Sequence, residues 1–450
     1  MSRVTRTVPA PAPPSTGAQH DRRRLVLIAA AIVLTGLNLR TAVNSVGPVL
    51  EELQRGLGLS SGEAGLVTTM PVICFALIGF AGPPLSARFR DGHVLAGALA
   101  TMAVGLVLRA TAAGFGVFLA GTVLAMVGGA LGNVLLPALV KKHFPHRTGL
   151  LVGAYSTALS LGGAVAAVAA APIAGSLGTA GWRWALGIWA VMALLAALPW
   201  LAVRATPGAG PGRRSAVRMR AFARSPLAVA LAVFFGLQSL EAYVIIGWSA
   251  QYLRDSGLSA ATAGLLLGVN SVVVIPLNAV IAPLTVRPRA QRPLLALFVV
   301  AYLAGWIGLW RAPLTAPWLW MILLAVGMGS FAMVLALLGM RARTPETTAT
   351  LSTVTQGWGY LLAAAGPLLV GVLHGATGGY TGMFVLVLAG TMGLGVSGLL
   401  VTRNRYVDDE LHQLTPAPAG PGTADVVEVA GAEPPVTVHL REPGDGSRRG

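Results

Sequence analysis

The chain has 450 residues, of which 55% are hydrophobic and only 11% charged, with a formal net charge of +16. A soluble protein of this length carries about a quarter charged residues, whereas here stretches such as Leu25–Leu39, Leu95–Leu108, Leu186–Val203 and Met383–Val401 hold no ionised side chain. Runs of about 20 apolar residues cross a hydrocarbon core as helices, so the composition excludes a soluble enzyme.

Residues 1–24 form a Pro/Ala/Arg-rich tail that is too polar to fold alone and is predicted disordered. Arg22-Arg23-Arg24 precedes an apolar run as in a signal peptide, but the run continues to Arg40 with no cleavage site, which predicts a retained first helix. The pattern then predicts spans at 25–50, 62–86, 93–113, 115–140, 147–175 and 182–203. A basic, breaker-rich linker at 204–225 separates this six-helix half (25–203) from a second (226–403). Its spans fall at 226–252, 259–285, 292–311, 315–340, 347–374 and 379–402, and a Pro/Gly/acid-rich tail at 404–450 is again predicted disordered. With residue 1 inside, all of the 32 Lys and Arg residues except Arg40, Arg55, Arg109, Arg183, Arg254 and Arg311 fall on the cytoplasmic side. The positive-inside rule therefore predicts a multi-pass protein of the cytoplasmic membrane with both termini in the cytoplasm. The basic balance reports topology, not nucleic-acid binding.

The chain also repeats itself. Gly58-Leu59-Ser60-Ser61-Gly62-Glu63-Ala64-Gly65-Leu66 returns 199 residues later as Gly257-Leu258-Ser259-Ala260-Ala261-Thr262-Ala263-Gly264-Leu265. Gly105-Leu106…Arg109-Ala110 is echoed by Gly308-Leu309…Arg311-Ala312, and Thr179-Ala180-Gly181-Trp182 by Thr377-Gly378-Gly379-Tyr380. Repeated halves in an apolar chain predict a transporter with its substrate site where the halves meet.

Several chemistries are excluded or unsupported. The only lysines, Lys141 and Lys142, belong to no phosphate-binding loop. Gly393-Leu394-Gly395-Val396-Ser397-Gly398 matches a dinucleotide fingerprint in letters only, because it lies within an apolar span. The seven histidines are scattered, and the single cysteine, Cys74, can form no intramolecular disulfide. No catalytic residue, metal or cofactor is predicted.

Ionised groups inside a bilayer cost about 2.5–3.5 kcal/mol on insertion scales. Arg40 lies 15 residues into span one, and Glu241 at similar depth in span seven. Asn44 follows Arg40 by one turn, Gln238 precedes Glu241, and Asn38 pairs with Thr41. Ser156 and Ser160 are answered 200 residues on by Gln356 and Tyr360, and Asn133 and Asn270 add isolated amides. These groups predict a water-filled central cavity. Arg40 would anchor a small anion through its fixed charge and bidentate donors, and Glu241 is a candidate proton-coupling carboxylate. The competing reading makes the two an ion pair and the amides helix glue. Arg109 and Arg311, at the outer ends of spans three and nine, are expected to snorkel to the interface.

Leu37-Asn38-Leu39-Arg40-Thr41-Ala42-Val43-Asn44-Ser45-Val46-Gly47-Pro48 resembles the first helix of the cyanate-transporter/nitroimidazole-resistance branch of the major facilitator superfamily. Gly132-Asn133-Val134-Leu135-Leu136-Pro137, Gly236-Leu237-Gln238-Ser239 and Gln356-Gly357-Trp358-Gly359-Tyr360 extend the resemblance over both halves. It implies an all-α membrane fold of twelve helices in two pseudo-symmetric bundles and alternating access to a central site. It also implies secondary transport of a small solute such as cyanate, with Arg40, Gln238 and Gln356 at the matching positions of its motifs; together with Asn38, Asn44 and Tyr360 these are the expected substrate-binding residues. The chain departs from the superfamily at Gly82-Pro83-Pro84-Leu85-Ser86-Ala87-Arg88-Phe89-Arg90, where Ala87 stands in place of the usual Asp. The expected partners are a small-molecule substrate, the lipid bilayer and protons, with the chain acting as a monomer. The alternatives are a drug or metabolite exporter of the same fold and a transporter-like sensor.

Overall fold

A computed structural model of the chain describes residues 16–88, 91–144, 147–202 and 219–414. Among them every regular element is helical, and twelve helices are long and apolar enough to cross a membrane. These are α1 (Leu25–Leu57), α2 (Ser61–Ile78), α3 (His93–Thr111), α4 (Phe115–Asn133), α5 (Leu150–Ser176) and α6 (Gly178–Leu201) in the first half. The second half has α7 (Pro226–Asp255), α8 (Ala260–Thr285), α9 (Pro288–Arg311), α10 (Pro317–Met340), α11 (Glu346–Thr377) and α12 (Thr381–Val401). Each carries apolar residues on its outer face as well as its inner one. Val104, Leu198, Val300 and Val396 are exposed, while Leu99, Ala193, Phe298 and Leu394 are buried. Helices that are apolar all round suit a lipid surround.

Two expectations about the termini need correction. The helix that becomes α1 begins at Thr16, inside the expected tail. The tail expected after 403 contains a further helix, α13 (Val407–Leu414), with Val407 and Leu411 buried. Its acids cap other helices: Glu410 Oε2 accepts from Ser225 Oγ (2.5 Å) and the Leu227 N–H (3.1 Å) at the start of α7. Asp408 accepts from Thr347 Oγ1 (2.8 Å) and the Arg343 N–H (2.8 Å) at the start of α11. Residues 1–15, 203–218 and 415–450, and the Phe89–Arg90 part of the departing loop, lie outside the described residues.

In the first half α1 packs on α4, α5 and α6, α2 on α4, and α3 on α4 and α6. The second half repeats every pairing six helices later: α7 on α10, α11 and α12, α8 on α10, and α9 on α10 and α12. Association in lipid depends on close approach of backbones, and glycine permits it. A Cβ on Gly105 would lie 2.3 Å from Ala125 N, and one on Gly162 1.8 Å from Leu37 O. The halves meet through α2 against α11, α5 against α8, and the later part of α1 against α7, which are mutually equivalent under the repeat.

The repeated sequence block now has a physical reading. Gly58 (φ 66°) and Gly257 (φ 111°) turn the chain in the left-handed region, which favours glycine. Ser60 and Ser259 then start the next helices, accepting from the Glu63 N–H (3.3 Å) and Thr262 N–H (3.1 Å). Gly65 and Gly264 follow on the contact faces. A Cβ on Gly65 would stand 3.1 Å from Gly371 Cα, and one on Gly264 2.6 Å from Ala167 O. The block therefore builds both crossings between the halves.

These crossings lie toward the end of the bundle opposite the chain termini. The same end holds an ion-pair cluster between the last turns of α1 and α7. Arg254 donates to both Glu52 oxygens (2.8 and 2.7 Å) and to Pro48 O (2.8 Å), and pairs with Glu51 (2.6 Å). The molecule is closed at this distal end.

A central cavity with a single cation

α1 is not a continuous helix. It is α-helical to Leu39, breaks at Arg40 (φ −108°, ψ −6°), resumes over Thr41–Asn44 and passes through a 3-10 turn at Gly47–Val49. Pro48, which has no N–H to donate, lies in that turn. Gly163 of α5 faces the break: a Cβ there would lie 2.7 Å from Asn44 Nδ2 and 3.3 Å from Arg40 Cβ.

Between the halves lies a cavity of about 330 Å³, within the size range of small-molecule sites. Its N-terminal wall carries Arg40, Asn44, Asn133, Tyr155, Ser156 and Ser160, and its C-terminal wall Gln238, Ser239, Tyr243, Asn278, Gln356 and Tyr360. Its lining reaches Tyr155 and Leu335, near the terminal ends of α5 and α10, so it extends toward the terminal end of the bundle.

Among the described residues Arg40 is the only ionised side chain in this lining, and no carboxylate faces it there. It is half-buried and within electrostatic reach of the Tyr243 and Tyr360 phenols. In a site of low dielectric, one unbalanced cation makes the cavity attractive to anions. Around it the neutral groups leave bonding capacity free. Asn44 Nδ2 reaches across to Ser271 Oγ (3.3 Å), but its Oδ1 has no partner, nor does Asn278 Oδ1. Gln356 Nε2 donates to Ser352 Oγ (2.8 Å), and Gln238 Oε1 accepts from Ser239 Oγ (3.2 Å). Tyr360 stacks edge-on against Phe235 (5.0 Å) and lies 5.8 Å from Phe75, which also lines the cavity.

Five of the residues expected to bind substrate thus come together: Arg40, Asn44, Gln238, Gln356 and Tyr360. Asn38 does not. It is buried against α6, with Nδ2 donating to Leu34 O (3.0 Å) and Met192 O (3.1 Å). At about 100° per residue, two positions before Arg40 is nearly the opposite helix face.

Glu241 is also outside the cavity. It is buried among α7, α9 and α12, with Oε2 accepting from Trp306 Nε1 (2.7 Å) and Oε1 from Thr391 Oγ1 (2.9 Å). The cavity stripe of α7 is Gln238, Ser239, Ala242, Tyr243 and Ile246, and Glu241 lies roughly 130° from its centre. The Arg40–Glu241 ion pair is therefore absent. Tyr243 belongs to the site and was missed; extending the Gln238/Ser239 stripe by one turn finds it. Asn278, Tyr155 and Phe75 have no comparable signal.

Arg109 is a further correction. It does not snorkel but is fully buried in the first half, whereas Arg311 is exposed beside the Trp310 ring (5.4 Å).

A two-bundle helical fold with a central polar cavity between repeats is the architecture of a membrane transporter. Residues 26–367 match the family model of the Major Facilitator Superfamily, and the chain belongs to that family. It is 34% identical to the 2-nitroimidazole transporter of Escherichia coli (strain K12) over 86% of this chain and 98% of that protein. It is 29% identical to the cyanate transport protein of the same organism, over 85% of this chain and 98% of that one. Among solved structures it resembles a bacterial homologue of the human lysosomal transporter Spinster in an inward-facing, occupied conformation. There the TM-score is 0.69 at 19% identity, covering 86% of this chain and 98% of that one. The protein is a transporter, not an enzyme.

Proposed function

We propose that the protein is a secondary transporter for a small anion of cyanate size, bound by Arg40 and moved by rocking of the two halves. The observation that carries this reading is the unpaired Arg40 guanidinium in the central cavity, flanked by Asn44, Gln238, Gln356 and Tyr360. The clustering of Lys and Arg at the terminal end supports a cytoplasmic location for that end; in that orientation the cavity faces inward and the Arg254 cluster lies on the outer side. The test is the melting temperature of the purified protein with sodium cyanate against sodium gluconate. Cyanate is expected to stabilise the parent, Arg40→Lys partly and Arg40→Ala not at all. Equal stabilisation of parent and Arg40→Ala overturns the reading.

A second reading, export of planar neutral compounds, is favoured by the aromatic lining of Phe75, Tyr243, Phe331 and Tyr360 and by similarity to the 2-nitroimidazole transporter. It predicts stabilisation by 2-nitroimidazole that survives Arg40→Ala. Proton coupling through Glu241 draws no support from its place in the core, where both oxygens are held by neutral donors. Glu241→Gln is therefore expected to keep any dependence of transport on a pH gradient.

A further inference from the structure

A second cation lies deeper in the first half, on the distal side of the central cavity. Arg109 is completely buried at the end of α3. Part of its role is structural and follows from the break in α1. In a regular α-helix Ala42 O would accept from the Val46 N–H, but that N–H bonds Val43 O instead (3.3 Å). The Ala42 carbonyl is thus released, and Arg109 Nη1 takes it at 3.0 Å. This accounts for one nitrogen of the fork. Nε and Nη2 remain buried without a hydrogen-bond partner, the guanidinium lying 5.9 Å from the Phe118 ring, although buried charge is usually held by several hydrogen bonds.

The space beside Arg109 is a small cavity. Its lining runs from Ala42 and Val46 of α1 through Thr68 of α2 and Thr122 of α4 to Tyr243 and Gly247 of α7. Its free volume, about 10 Å³, is at the lower limit for one water molecule. One wall belongs to the N-terminal half and the other to α7 of the C-terminal half. Val43, Tyr243 and Ile246 line both this cavity and the central one, so these side chains stand between the two spaces. Any motion that parts α7 from α1 and α2 at the distal end widens the small cavity and opens it outward.

We infer that Arg109 is a second anion-binding site in series with Arg40, formed when the distal end opens and collapsed when it is closed. Its free Nε and Nη2 offer a two-donor fork to a small monovalent anion, linear or spherical, of cyanate or halide size. Tyr243 and Ile246 stand between this site and the central one. The inference rests on the transport reading of the central cavity, and the two fail differently.

The experiment uses the full chain in lipid nanodiscs, with sodium cyanate against sodium gluconate at equal ionic strength and melting temperature as the readout. Glu51→Gln with Glu52→Gln removes the carboxylate partners of Arg254 and favours the distally open state. In that background a cyanate shift is expected to remain when Arg40→Ala is added and to vanish when Arg109→Met is added as well. Absence of a shift in the Arg40→Ala protein, or a shift that Arg109→Met leaves intact, overturns the inference. Arg109→Lys keeps the charge should the Met variant fail to fold; it is expected to weaken the shift, and a shift equal to that of Arg109 overturns the fork. Arg40→Ala without the Glu changes reports on the central reading alone. A shift unaffected by that change sinks the central site, while an Arg109-dependent shift in the opened protein still supports the distal one.

Discussion

In the first half, the ionised groups of the interior are cations placed at the break in α1: Arg40 faces the central cavity and Arg109 holds the released Ala42 carbonyl. In the second half, the corresponding helices are used otherwise. Glu241 of α7 is sealed among Trp306 and Thr391, and Arg311 of α9 lies exposed at the surface. Yet the two halves share every major helix pairing. The backbone symmetry is carried by glycines and helix starts, while charge follows no symmetry. A bundle needs close approach wherever two helices cross, so small residues recur in both copies. A site between the copies needs its charge only once. The first half supplies the cation and the second contributes neutral amides and phenols.

The largest expected effect comes from breaking the second half at its buried acid. Glu241→Ala leaves the Trp306 N–H and the Thr391 hydroxyl buried with no acceptor, each costing about 1–3 kcal/mol, and leaves a void beside Gly390, where a Cβ would stand 3.1 Å from Glu241 Oε1. A stability loss of about 3–5 kcal/mol is expected in denaturant unfolding. Glu241→Gln, which keeps an acceptor for Trp306, is expected to lose about 1 kcal/mol. If the Ala variant matches its parent, the acid is not structural and the contrast between the halves disappears.

The same residue shows what was legible in the sequence. Twelve spans were readable because length and apolarity alone define a membrane helix. The four positive-φ glycines, Gly58, Gly178, Gly257 and Gly378, form two repeat pairs. Depth along a helix was also readable, and Arg40 and Glu241 both lie well inside the spans that hold them. Facing was not. A helix that is apolar all round carries no stripe to orient it, and a three-residue spacing such as Gln238 to Glu241 fits one face only loosely. Asn38 failed for the same reason. Arg109 was misread because position near a span end suggests snorkelling, whereas a carbonyl released in a neighbouring helix drew it inward.

A smaller effect is expected at the two crossings between halves. Gly65→Leu crowds α11 at Gly371, and Gly264→Leu crowds α5 at Ala167. Overpacking of this kind costs about 1–3 kcal/mol, here charged to the distally closed state alone. That shifts the balance between states by about 5- to 150-fold. Labelling of Val46→Cys by a membrane-impermeant maleimide, with Cys74→Ser to remove the native thiol, is expected to speed up in both variants. Equal acceleration makes the crossings equivalent; acceleration in only one shows that the halves do not part symmetrically.

The smallest effect concerns the one feature of the second half that has no counterpart among the described residues of the first. α13 places Glu410 at the start of α7, where it accepts from the Leu227 helix N–H, and Asp408 at the start of α11, where it accepts from the Arg343 N–H just before the helix and from the Thr347 hydroxyl, both near the positive end of a helix dipole. Glu410→Gln keeps a hydrogen-bonding oxygen and removes the charge, so about 0.5–1 kcal/mol of stability should be lost. Because the site is near the surface, salt should reduce that loss. Deleting α13 exposes both helix starts together and should cost more than Glu410→Gln, without altering stabilisation by cyanate, since no α13 residue lines the central cavity. A deletion that leaves stability intact but changes cyanate stabilisation would instead mean that α13 acts on the balance between open and closed states. The acids of the tail would then couple to Arg40 through α7 and α11, which form much of the cavity's C-terminal wall.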